Sequence, residues 1–186
     1  MRVVWSVFGA LLTAILIGYR LRQPTAAPLA EAAAPAPRII AVVERRAASV
    51  PPAPRADSIV RFALRQLGTN YCYAGTSPAT GFDCSGFVQY VFTRFGVAVP
   101  HATALLISAG RPVPRAQAQP GDIVVFTGTA PGSTTPGHAG IVISAADEVP
   151  LRFVHSSSAQ KESGVKVSQV EGSGYETRFM QVRRVL

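Results

Sequence analysis

Two cysteines and three histidines are the residues of this 186-residue sequence best suited to nucleophilic chemistry: Cys72, Cys84, His101, His138 and His155. A thiol attacks a carbonyl only as thiolate, a form that the positive end of a helix and a neighbouring imidazole both favour. Cys84 has surroundings of that kind. It follows the turn-forming stretch Gly75–Gly81 and precedes Val88, Val91, Phe92 and Phe95 at helical spacing, with Gly96 as the stop. This pattern predicts Cys84 at a helix amino terminus, where the small Ser85 and Gly86 let a substrate approach and main-chain N–H groups can hold an oxyanion. The ordinary alternative is a buried cysteine that merely packs, and the flanking Asp83, Ser85 and Gly86 argue against it.

His138 heads an apolar strand pattern, Gly137-His138-Ala139-Gly140-Ile141-Val142, and His155 closes the next one, Phe153-Val154-His155. Antiparallel pairing of the two segments would bring the imidazoles side by side. One is then placed as a base for Cys84, and the other holds it in a useful orientation and tautomer. Together they make a nucleophile, a base and an orienter. His101, after Pro100, reads as a surface histidine at a helix start. Its spacing from His138 and His155 fits no short ligand motif, so no metal and no cofactor are expected. A Cys72–Cys84 disulfide would disable the nucleophile, but Cys72 lies in the strand-like Tyr71-Cys72-Tyr73 and is read as a small packing residue.

The elements that must position these groups come in a telling order. Asp57 is expected to cap a helix over Ser58–Leu67, with Ile59, Ala63 and Leu67 on one face and Gly68 closing it. After the Cys84 helix comes a short helix over Ala102–Ala109. Strands are then expected at Ile123–Phe126, His138–Ser144, Leu151–His155, Val165–Val170 and Phe179–Val185. Helices first and strands afterwards predict an α+β domain over 57–186, with amino-terminal helices packed on an antiparallel sheet.

The remainder of the chain differs in composition. Seven of the eighteen Lys and Arg precede Asp57 against two acids, so most of the net charge of +8 belongs to the first 56 residues. The domain's own basic residues are scattered and not interleaved with aromatics, which excludes nucleic acid as an expected partner. From Val3 to Tyr19 the chain carries no charge, and residues 1–22 read as a signal-anchor or signal peptide, the uncleaved anchor being favoured because Arg20 and Arg22 follow directly. Residues 23–56, rich in Ala and Pro, read as an extended linker. The expected location is the cell envelope, periplasmic or otherwise extracytoplasmic. No motif identifies a regulatory protein partner.

Five segments in order resemble the NlpC-type cell-wall cysteine peptidases, the NlpC and p60 family. They are Leu67-Gly68-Thr69-Asn70-Tyr71-Cys72-Tyr73-Ala74-Gly75, then Gly81 to Val88 around Cys84, Pro120-Gly121-Asp122-Ile123-Val124, Gly137 to Ile141, and Phe153-Val154-His155. The resemblance spans 57–186 and implies a papain-like fold and a Cys-His-His triad of Cys84, His138 and His155. It also implies hydrolysis, through an acyl-enzyme, of an amide bond in peptidoglycan stem peptides, between D-γ-glutamyl and a diamino acid. Tyr73, Asp83 and Ser85 are carried over as substrate-binding residues, Asp83 toward the substrate's amine. Ala74 stands where the family has a second glycine, and His101 where arginine is frequent. Two alternatives differ in chemistry: a papain-like amidase or acyltransferase on a non-wall substrate, and a wall-binding module that does not cleave.

Overall fold

A computed structural model describes residues 52–186. The apolar run Val3–Tyr19, and nearly all of the segment read as a linker, lie outside the described residues. Among the described residues no helix is long and apolar enough to cross a membrane.

Helix α1 spans Pro52–Leu64, beginning six residues earlier than the Ser58 start expected from Asp57. The first turn of a helix uses no main-chain N–H, so prolines at its start carry no penalty, and the Pro-rich sequence that reads as extended opens a helix instead. Asp57 is therefore inside α1 and does not cap it. The Arg55 guanidinium donates to Phe95 O at 2.6 Å, tying the start of α1 to the segment that follows the next helix. Ile59 and Ala63 are fully buried, as the helical spacing predicted. Leu67 is not, being 49% exposed, because the helix stops at Leu64 and tighter turns through Gln66 and Leu67 swing it outward. Gly68, at φ +83, then turns the chain, with its N–H donating to Val165 O.

A two-stranded hairpin, β1 (Thr76–Ser77) and β2 (Gly81–Phe82), leads into α2 (Cys84–Thr93), followed by the short α3 (Thr103–Leu106). Only the middle of the helix expected over Ala102–Ala109 is α-helical, and turns complete the rest. The main sheet contains β3 (Arg111–Val113), β4 (Ile123–Thr127), β5 (Pro136–Val142), β6 (Arg152–Ser157), β7 (Gly164–Gln169) and β8 (Phe179–Arg184). Its order is β3-β8-β4-β5-β6-β7, antiparallel throughout. The pairs β1, β2 and β3 are too short, and β3 too interrupted by Pro112, to leave a periodic signal in the sequence.

The sheet is covered on both faces, which explains why β4 reads as an unbroken apolar run. Ile123 and Val125 face α1, α2 and α3, in a core with Phe87, Val91, Phe92, Ile141 and Val154. Val124 and Phe126 face the other way, into a second cluster with Val142, Phe153, Val170 and Val182. Each such side chain contributes roughly 1.5–3 kcal/mol when fully buried. Asp122, at the head of β4, is nearly sealed and accepts two bonds from Arg184 at 2.7 Å each and one from Gln119 N at 2.8 Å. The Pro120-Gly121-Asp122 segment thus fastens β4 to the end of β8. Removing Arg184 would leave a buried carboxylate unpaired, at a cost of about 3 kcal/mol or more.

Candidate active site

Cys84 is the first residue of α2, and its helix is capped by Asp83, whose extended backbone and carboxylate take the usual capping geometry. Asp83 Oδ1 accepts from Gly86 N at 2.6 Å and from Ser85 Oγ at 3.1 Å, and the Asp83 main-chain carbonyl accepts from Phe87 N. The Gly86 N–H is one of those that a helix start leaves without internal partners, and Phe87 N begins the helical ladder. Those of Cys84 and Ser85 are not used by the cap. Cys84 is half-buried, and both cysteines are free thiols. Cys84 Sγ lies 3.6 Å from Thr103 Oγ1 at the start of α3.

The loop before the nucleophile is built from main chain packed on main chain. Cys72 N donates to Phe82 O, Gly75 N to Cys72 O, and Asp83 N to Gly75 O. A Cβ on Gly75 would overlap Gly81 O, and one on Gly86 would overlap Gly75 O. Glycine is required at both by close approach. Ser156 Oγ, fully buried on β6, donates to Phe82 O at 2.7 Å and so joins this loop to the sheet. Ala74 sits at φ +55, the left-handed region that favours glycine.

His138 and His155 come together as the antiparallel reading predicted. His138 Nε2 is 2.8 Å from His155 Nδ1, the rings perpendicular, and His155 Nε2 is 2.9 Å from Ser168 Oγ on β7. Burial lowers the His138 pKa from its ordinary 6.5 to about 4, with the positive charges of Arg178 and Lys166 acting the same way. His155 is fully buried and its pKa is lowered too, first by burial and then by His138. Both rings are neutral near pH 7. When His155 donates to Ser168, its Nδ1 accepts from His138 Nε2–H, and the lone pair of His138 then stands on Nδ1, free to take a proton.

Tyr175, in the turn before β8, is the centre of this half of the site. Its ring stacks on His138 (centroids 5.7 Å, 29°) and meets His155, Phe126 and Phe153 at 4.9 to 5.4 Å. Burial pushes its phenol up, while hydrogen bonds from Arg178 and Ser157 pull the other way, and Cys84 lies within its electrostatic reach. No hydrogen bond joins Cys84 to His138 among the described residues; contacts of this kind commonly tighten once substrate is bound.

The other candidates are placed unevenly. Ser85 is 6% exposed, its hydroxyl committed to Asp83. Tyr73 is 88% exposed and turned to solvent. Tyr71, which the sequence did not single out, feels the charges of both Cys84 and Asp83. His101 is no isolated surface residue: its Nε2 lies 3.0 and 3.2 Å from the two carboxylate oxygens of Asp83. The Asp83 carboxylate that the resemblance directs toward a substrate amine thus already has a cationic or hydrogen-bonding partner. Ser168, Tyr175 and Arg178 were also missed. A turn reading Gly172-Ser173-Gly174-Tyr175-Glu176-Thr177-Arg178 has no periodicity to mark it, and a lone aromatic among glycines was the one available signal.

Comparison with known proteins bears on the family and the fold. The NlpC/P60 family model matches residues 68–184. A probable endopeptidase of Mycobacterium tuberculosis is 38% identical over 109 residues, 55% of this chain but only 26% of the relative. The gamma-DL-glutamyl hydrolase of Bacillus subtilis is 32% identical over 127 residues, 68% of this chain and 28% of the relative, so the chain spans about a quarter of the length of these curated proteins. Among solved structures, a peptidoglycan hydrolase of Mycobacterium tuberculosis superposes with a TM-score of 0.54 at 27% identity, covering 74% of this chain and 69% of that one. With helices packed on an antiparallel sheet and a cysteine at the head of the central helix, this chain belongs to the NlpC/P60 family and has its papain-like fold.

Proposed function

We propose that this protein is a cysteine endopeptidase that hydrolyses an amide bond in peptidoglycan stem peptides, the bond between D-γ-glutamyl and a diamino acid. The observation that carries the reading is the chain of hydrogen bonds His138–His155–Ser168 beside a cysteine at a capped helix start. The names of the relatives, an endopeptidase, a gamma-DL-glutamyl hydrolase and a peptidoglycan hydrolase, support the substrate class.

In this reading Cys84 Sγ attacks the carbonyl carbon as its proton passes to His138 Nδ1. The tetrahedral oxyanion is held by the N–H groups of Cys84 and Ser85, which the Asp83 cap leaves unused. Collapse breaks the C–N bond, and His138 gives its proton to the departing amine. Water, deprotonated by the same imidazole, then attacks the thioester, and the acid and the free thiol are released. His155 keeps the lone pair of His138 on the nitrogen that faces the chemistry. Tyr73, Asp83 and Ser85 border the substrate on the nucleophile's side, with Asp83 meeting an amine. Residues 57–186 form the peptidase domain, and 1–22 with 23–56 export or anchor it outside the cytoplasm.

Defined muropeptides incubated with the full chain and analysed by mass spectrometry test this. The expected product pair has a new amine on the diamino acid, appears only with an unalkylated thiol, and is insensitive to chelators. Intact muropeptides after prolonged incubation, or equal turnover by Cys84→Ala, would refute it.

A further inference from the structure

A cleft of about 380 Å³ opens beside His138, lined by His138, Tyr175, Arg178, Thr129, Ser158 and Gln160 among others. About half of its wall is polar, and Arg178 is the one side chain of fixed charge among its lining residues. That guanidinium is held in place: it lies over the Tyr175 ring at 4.6 Å, its Nε donates to Gly174 O at 3.2 Å, and its Nη1 donates to Thr127 O at 3.2 Å. The Tyr175 phenol is a further partner. A guanidinium carries five N–H donors, so some remain uncommitted. No acidic side chain pairs with Arg178 among the described residues, whereas Arg184, Arg152 and Arg115 each have a carboxylate.

A cation oriented by an aromatic ring, lacking an acid of its own and facing a cleft beside an imidazole, is arranged to receive an anion from outside the protein. The position indicates which anion. His138 must deliver its proton to the departing amine, so a group resting in the cleft beside that imidazole belongs to the leaving residue. In an α-amino acid leaving through its amine, the carboxylate is one carbon away from that nitrogen.

Building on the peptidase reading, we infer that Arg178 is a specificity-determining residue that binds the free carboxylate of the leaving amino acid, so that this protein favours stem peptides whose leaving residue is a free acid over those in which it is amidated.

The test uses a synthetic peptide pair, L-Ala-γ-D-Glu-diamino acid with either a free α-carboxylate or a carboxamide on the diamino acid, and the full-length chain in detergent. The expected kcat/KM favours the acid by about tenfold or more, the range of one charge-assisted hydrogen-bonded pair. Arg178→Gln should bring the ratio close to one, and Arg178→Lys should leave it in between. Binding of both peptides to Cys84→Ala, measured by calorimetry, should show the same preference without turnover. Equal cleavage and equal binding of acid and amide would overturn this inference and leave the peptidase reading intact. Carboxylate-dependent binding with no hydrolysis by the wild-type chain would overturn the peptidase reading and leave the Arg178 site standing. Failure to bind either peptide would sink both.

Discussion

The two halves of the site are made differently. At the start of α2 everything is local and polar: Asp83, Cys84, Ser85 and Gly86 are consecutive, they satisfy one another, and His101 completes the group from the edge. On the sheet, His138, His155, Ser168 and Tyr175 come from four separate segments and meet in a largely apolar, aromatic setting that keeps both imidazoles neutral. A thiolate needs a helix terminus and some exposure; a base that must lose its proton again needs the opposite, a desolvated pocket that disfavours its charged form. Separate construction lets each requirement be met without compromising the other.

Four perturbations bear on that contrast. The largest effect is expected from removing a reacting group on either side: Cys84→Ser and His138→Ala should each lower kcat by about 10⁴-fold or more while the domain stays folded. Full turnover by either variant would mean that its half is not the chemistry. Next comes His155→Ala, where water can partly replace the orienting imidazole, and a remnant about 10² below the wild type is expected in initial-rate assays. If that variant matched His138→Ala in loss, His155 would be more than an orienter.

The third prediction concerns protons. The folded state holds His138 near a pKa of about 4, and His155 is depressed in the same direction, whereas both take up protons near 6.5 when the chain unfolds. The unfolded state therefore binds more protons between roughly pH 6.5 and 4, so stability is fully present above pH 6.5 and declines as pH falls through that window. Melting temperatures measured from pH 7.5 to 4 should drop accordingly, and a flat profile would show that the imidazoles are not held neutral. Smallest is Ala74→Gly on the nucleophile's side. Relieving a left-handed alanine should raise stability by about 0.5–1 kcal/mol in urea titrations without altering the sheet half.

The same contrast explains what could be read in advance. The α2 start was legible because its determinants are adjacent: turn residues, a small-residue motif and a helical repeat within twenty positions. His138 and His155 were legible because each adjoins an apolar strand pattern that fixes its partner, and the observed register joins Ile141 to Val154 as pairing of those strands requires. Ser168, Tyr175 and Arg178 were not, because nothing in a half-buried serine on an edge strand or in a glycine-rich turn says which imidazole lies across the sheet. The α1 boundary was missed for a local reason, since prolines read as linker are equally at home in a first helical turn. His101 was underrated because its partner is eighteen residues away across a helix start.

The glycine contacts beneath the nucleophile have a consequence for how this scaffold can be retuned. Because Gly75, Gly81 and Gly86 press against backbone and against the Cys72 Cβ, the ground under Cys84 has no room for a larger side chain at these three positions. An engineer seeking a different appetite in this protein must therefore work at the margins, with Tyr73 and His101 on one bank and Arg178 on the other, while the bed of the channel stays as it is.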